Sequence, residues 1–105
     1  MIHHLVLCKL RPGTKPQVLE ELMRRARMSL LRIEEVRAMK CGKRVSADNA
    51  WAFFYSIDTV SRSRLAAVQR HPTYLRFIDT VITPHVAEQL ALSYEMDPGK
   101  DVRYS

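Results

Sequence analysis

His3 and His4 stand side by side near the start of the sequence, and neighbouring imidazoles invite metal ligation or proton transfer. Metal ligation fails on geometry. Both residues lie in Ile2-His3-His4-Leu5-Val6-Leu7-Cys8-Lys9-Leu10, which reads as a strand, and successive strand residues point to opposite faces. His71 and His85 stand beside Pro72 and Pro84, one at a helix break and one in a turn, and no spacing among the four histidines resembles a metal site. No metal and no cofactor are expected. Cys8 and Cys41 lie in strand-like segments with no base beside them, where a free thiol behaves as a small buried hydrophobe rather than a nucleophile. Two cysteines also make no disulfide framework.

The remaining chemically active side chains are basic. The chain carries 17 lysines and arginines against 11 acidic residues, a net charge of +6, with basic residues concentrated between Lys15 and Arg44. Arg24, Arg25 and Arg27 would attract phosphate. They fall on the polar side of a helix, with no interleaved aromatic motif, so solvated surface is the expectation and nucleic acid is not an expected partner. The longest apolar run near the start, Leu5 to Cys8, is too short for a membrane span or an export signal, which points to a cytoplasmic protein with no membrane partner.

The elements that position these residues follow from periodicity. In the first strand, residues 2 to 10, both faces are largely apolar and so both need cover. Arg11-Pro12-Gly13 makes a turn, and Thr14 with Gln17 predicts a capping box ahead of Pro16. The helix that follows has an apolar stripe of Leu19, Leu22, Met23, Ala26, Leu30 and Ile33. A more polar strand, an edge candidate, is predicted over 36–43, and an aromatic-rich one with Trp51, Phe53, Phe54 and Tyr55 over 50–58. Ser61 caps a second helix that breaks before Pro72 and resumes to about Thr83-Pro84. The last strand is predicted over 90–96, and a polar, mobile tail over 97–105.

The order is βαββαβ, a single α+β domain over residues 1–96 of ferredoxin-like type: a four-stranded antiparallel sheet with helices on one face. Leu5, Leu7, Leu90, Leu92 and Tyr94 then share the uncovered face, and a homodimer through that sheet face would bury them. On the helix side the last strand offers only Gln89, Ala91 and Ser93, small or polar residues where large aliphatics would fill space. They leave room for a small hydrophobic or aromatic ligand, or for water. Trp51 and Phe53 are aromatic candidates for the same pocket, with core packing as their alternative.

The opening strand Met1 to Leu10, His71-Pro72 after the second helix, Phe77-Ile78 and Tyr94-Glu95 resemble, in order and spacing, the landmarks of the stress-responsive dimeric α/β-barrel family. The resemblance covers residues 1–96 and implies a homodimer whose two sheets pack back to back into a barrel. The family includes plant stress-induced proteins and olivetolic acid cyclase, a polyketide cyclase that needs no cofactor and works in a cavity between sheet and helices. Of that enzyme's site, His4 matches the first-strand histidine, and Tyr74 stands where a histidine follows His-Pro. Phe53 and Val68 replace a histidine and a tyrosine.

Two functions from different classes follow. One is a small-molecule-binding homodimer with no assigned reaction. The other is a polyketide-cyclase-like or other acid–base enzyme in which His4 accepts a proton that Tyr74 positions or donates. Phe53, Tyr55, Val68, Gln89, Ala91 and Ser93 are the expected pocket residues in either case. The plain alternative for His4 is a hydrogen-bonded core histidine, and for Tyr55 and Tyr74 a packed ring with its hydroxyl satisfied.

Overall fold

The computed structural model describes residues 1–97, and all but the first residue of the expected 97–105 tail lies outside that span. The first strand, β1, covers Ile2–Leu10. Gly13 turns the chain with φ +82°, a value open to glycine at no steric cost. Thr14 does not cap the helix after it. Its hydroxyl and its N–H both donate to the Arg11 carbonyl and close the turn, so Lys15 takes the cap position without a side-chain bond and the expected capping box does not form.

Helix α1, Pro16–Leu30, buries Leu22, Ala26 and Leu30, and the chain just past its end buries Ile33. Strand β2, Ala38–Lys43, pairs with β3, Phe53–Thr59. β3 begins later than its aromatic run because the Asn49 side chain accepts the Trp51 N–H, which holds that residue in the connection. Ser61 caps α2, Arg62–Arg70, by accepting the Arg64 N–H. His71 then separates α2 from α3, Pro72–Phe77, in extended backbone geometry, and its Nδ1 accepts the Thr73 N–H at 3.0 Å.

Helical structure continues through a π turn, Ile78–Ile82, and one α turn, Thr83–His85. The Pro84 ring would crowd the carbonyl four residues back in an α-helix, and widening the preceding turn relieves that clash. The chain enters β4 at Val86 and leaves at Glu95, so the last strand starts four residues before its expected beginning.

The four strands form one antiparallel sheet in the order β2-β3-β1-β4. The α+β class and the ferredoxin-like arrangement expected from the sequence are therefore present. Ile2, Val6 and Cys8 from β1 and Phe53, Tyr55 and Ile57 from β3 face the helices and form the core with Leu22, Leu30, Val68, Phe77 and Val81. On the opposite face no element among the described residues covers Leu5, Leu7, Phe54 and Leu92, which are half-buried, or Leu90 and Tyr94, which are 41% and 54% exposed. No helix among the described residues is long and apolar enough to cross a membrane.

Candidate functional site

His4 sits at the centre of the sheet's helix side. Its neighbours across the ladders are Ile57 on β3 and Ser93 on β4, and residues directly opposite in an antiparallel pair share a face. Ser93 Oγ lies 2.7 Å from His4 Nδ1 in a shared hydrogen bond, and the histidine is only 5% exposed. Burial, reinforced by the charge of adjacent His3, lowers the His4 pKa below the ordinary value of 6.5. His4 is therefore neutral at pH 7. Nδ1 is engaged by Ser93, while Nε2 has no hydrogen-bond partner among the described residues.

The same ladder places Ala91 opposite Val6 and Gln89 opposite Cys8, so Gln89, Ala91 and Ser93 face the helix side as expected. All three are exposed, because the helices lie over β1, β2 and β3 and stop short of β4. Beside Ser93, between the first turn of α2 and the end of β4, a mainly apolar hollow of about 350 Å³ is lined by Ile2, Arg62, Leu65, Ser93, Tyr94 and Glu95. Ser93 thus joins the hollow to the histidine.

The other expected site residues go elsewhere. Phe53, Tyr55 and Val68 are closed into the core at 1% exposure or less. Tyr74 and Tyr55 share a hydroxyl–hydroxyl hydrogen bond of 2.9 Å, with the Tyr55 ring edge-on to Phe77. Burial raises the pKa of both phenols, most for Tyr55, whose tyrosine partner adds to it. For Tyr74 the bond to Tyr55 works against the rise. The Cys8 thiol, itself pushed up to about 12 by burial, is near enough to raise both further. Cys8 lies four residues beyond His4 along β1, roughly 13 Å at strand rise. His4 and Tyr74 therefore make no acid–base pair by hydrogen bond: His4 Nδ1 is bonded to Ser93 and the Tyr74 hydroxyl to Tyr55.

Trp51 also leaves the expected pocket. Its ring lies under the Lys9 ammonium, 4.7 Å from the centroid. His3, on the open sheet face, donates instead to Asp58 at 2.6 Å. Among the described residues no group of histidine, cysteine and carboxylate side chains is arranged to hold a metal ion. Ile2, Arg62, Leu65, Tyr94 and Glu95 were not expected at the site, Tyr94 being expected on the open sheet face. Pairing of Ile2 with Glu95 follows from the β1–β4 register, but how far α2 slides along that edge has no signal in local sequence.

Comparison with known proteins agrees with this geometry. The sequence profile of the stress responsive A/B barrel domain matches residues 2–96. The chain belongs to that family. A Mesorhizobium loti member of the family with a ferredoxin-like fold superposes with a TM-score of 0.77 at 19% identity, covering 89% of this chain and 93% of the other. A dimeric ferredoxin-like protein of unknown function from Thermobifida fusca gives 0.77 at 21% identity, with 89% and 88% covered. The hydroxynitrile lyase of Passiflora edulis gives 0.75 at 15% identity, with 89% and 90% covered. No curated protein matches at the sequence level. Several structural neighbours are themselves of unknown function, so membership in the A/B barrel family fixes the architecture and assigns no reaction.

Proposed function

We propose that this A/B barrel protein is a cytoplasmic homodimer, joined through the open sheet face, that binds a small apolar or aromatic molecule beside His4. The observation that carries the ligand reading is the uncovered helix side of β4. A 350 Å³ hollow there is mostly apolar, yet it reaches Ser93 and through it a neutral, nearly buried imidazole. Apolar walls with few, fixed polar groups are the usual composition of a small-molecule site. The dimer reading is supported by the apolar sheet face and by the dimeric Thermobifida fusca neighbour. Two free thiols, Cys8 and Cys41, suit a reducing compartment.

The test is an amide and methyl NMR titration of the dimer with small aromatic probes such as phenol and resorcinol. Shifts should concentrate at Ile2, Leu65 and Ser93, and Leu65→Trp, which fills the hollow, should abolish them. Shifts spread evenly over the surface, or unchanged by Leu65→Trp, would defeat the proposal.

A second reading, an acid–base enzyme, is favoured by one observation: His4 is neutral with Nε2 unengaged, the form in which an imidazole accepts a proton. Ser93, not Tyr74, is the group positioned to orient it. Across a panel of β-polyketone and cyanohydrin substrates, His4→Gln should then lower turnover by about 10²–10⁴-fold with the fold intact. Turnover per folded molecule that His4→Gln leaves unchanged would remove this reading and leave the binding one standing.

A further inference from the structure

A second hollow lies on the outer side of the helical layer, away from both His4 and the open sheet face. It measures about 250 Å³ and runs between α1 and the α3–π segment. Arg25 and Ser29, one turn apart on α1, and Arg32, just past the end of that helix, line one wall. Thr73, Arg76 and Thr80 line the other at a spacing of three and four. Phe77, 1% exposed, closes the floor and packs into the core, so both walls stand on fixed backbone.

Three arginines therefore line one groove with no carboxylate among the lining residues, together with the Ser29 and Thr73 hydroxyls and that of Thr80, which donates to the Arg76 carbonyl. Among the described residues, none of these arginines has an ion pair. The acidic residues of α1 are engaged elsewhere: Glu21 holds Arg24 and Glu20 holds Lys43. Asp79 lines a neighbouring hollow that shares Arg76 and Thr80, and it forms no ion pair with Arg76. The nearby Glu21 carboxylate feels the charge of Arg25 but is paired to Arg24, so three arginines remain in excess along the groove, and a bound anion offsets their repulsion.

We propose that this groove binds the phosphate or diphosphate group of a small organic molecule. A carboxylate brings a single charge and two oxygens, enough for one arginine fork. A phosphate monoester brings about −1.5 to −2 charges and three acceptor oxygens, which suits several arginines together with the Ser29 and Thr73 hydroxyls. The groove is closed at its floor and short, fitted to a terminal phosphate rather than to a continuous nucleic-acid backbone. It lies on the face left free by the proposed dimer, so both protomers can carry one.

The experiment is calorimetric titration of the full-length protein, at low salt, with inorganic pyrophosphate, benzoate and a 20-base-pair DNA duplex. Pyrophosphate should bind at least about tenfold tighter than benzoate. Arg32→Gln and Arg76→Gln should each weaken it by about tenfold, as expected for loss of a charge-assisted hydrogen bond. Arg44→Gln, which makes the same change in net charge outside the groove, should leave affinity unchanged. All these substitutions are at exposed positions, and circular dichroism checks that each variant is folded. Equal weakening by Arg44→Gln would reduce the effect to overall charge and overturn the site. No pyrophosphate binding, or duplex binding through Arg32 and Arg76 with no pyrophosphate binding, would overturn it as well.

Discussion

At the scale of single residues, His4 couples the candidate site to pH. Its pKa is below 6.5 in the folded state because burial, and then His3, disfavour the imidazolium. Below pH 6.5 the unfolded chain takes up a proton that the folded chain resists, so stability should be full above that value and fall as pH drops toward the folded pKa. Urea midpoints measured between pH 7.5 and 5 should decline for the native protein and decline less for His4→Gln, which does not titrate. Identical slopes would show that His4 is not held neutral by the fold. The Tyr55–Tyr74 pair gives a complementary expectation. Tyr74→Phe leaves the Tyr55 hydroxyl buried without its partner, a loss of about 1–3 kcal/mol. Replacing both tyrosines by phenylalanine should restore much of it, and a double-mutant cycle in urea reads the difference. His4 could be found from the sequence because strand alternation and the family resemblance agree on it. The partner of Tyr74 could not, since the rotation of α3 is set by the break at Pro72 and by the packing of Phe77 rather than by any local pattern.

At the scale of elements, the junction between α2 and α3 depends on His71. The same residue ends one helix and caps the next, and its Nδ1 accepts the Thr73 N–H. His71→Ala should therefore destabilise the protein by about 0.5–2 kcal/mol, and His71→Asn, a strong capping residue, should recover most of that in thermal or urea unfolding. Equal stability of the alanine and native forms would mean that Pro72 alone sets the break. This junction was legible because Ser61, His71-Pro72 and the apolar spacing each mark it independently. β4 was only partly legible. Its inner residues are small or polar, and Ala87, Glu88 and Gln89 are exposed, so alternation carries little signal until Leu90. The weak signal and the open hollow have one cause, an edge strand with no described helix packed over its helix side. The π turn left no mark beyond Pro84, whose usual reading is the end of a helix rather than a widened turn inside one.

At the scale of the whole molecule, the protomer measures 40 × 38 × 20 Å, a slab about half as thick as it is wide. One layer of helices on one sheet gives that shape, and among the described residues it leaves the second sheet face bare. Leu5 stands opposite Leu92, and Leu7 opposite Leu90, so the four leucines form two cross-strand pairs at the centre of that face, with Phe54 and Tyr94 beside them. The His3–Asp58 and Lys9–Glu88 pairs carry charge on the same face, at opposite ends of β1. An apolar centre with charged ends is the arrangement of a self-complementary interface. Light scattering at 10 µM should therefore return about twice the 12.2 kDa chain mass. Leu92→Glu should return the single chain mass, because docking would then bury an unpaired carboxylate in each copy. The hollow beside His4 is lined from one protomer and, apart from Tyr94, by residues on the helix side of the sheet rather than on this face. A folded Leu92→Glu monomer should thus still show the aromatic-probe shifts at Leu65 and Ser93. Loss of those shifts together with the dimer would mean that the partner copy completes the site, and would move the ligand from the protomer to the barrel.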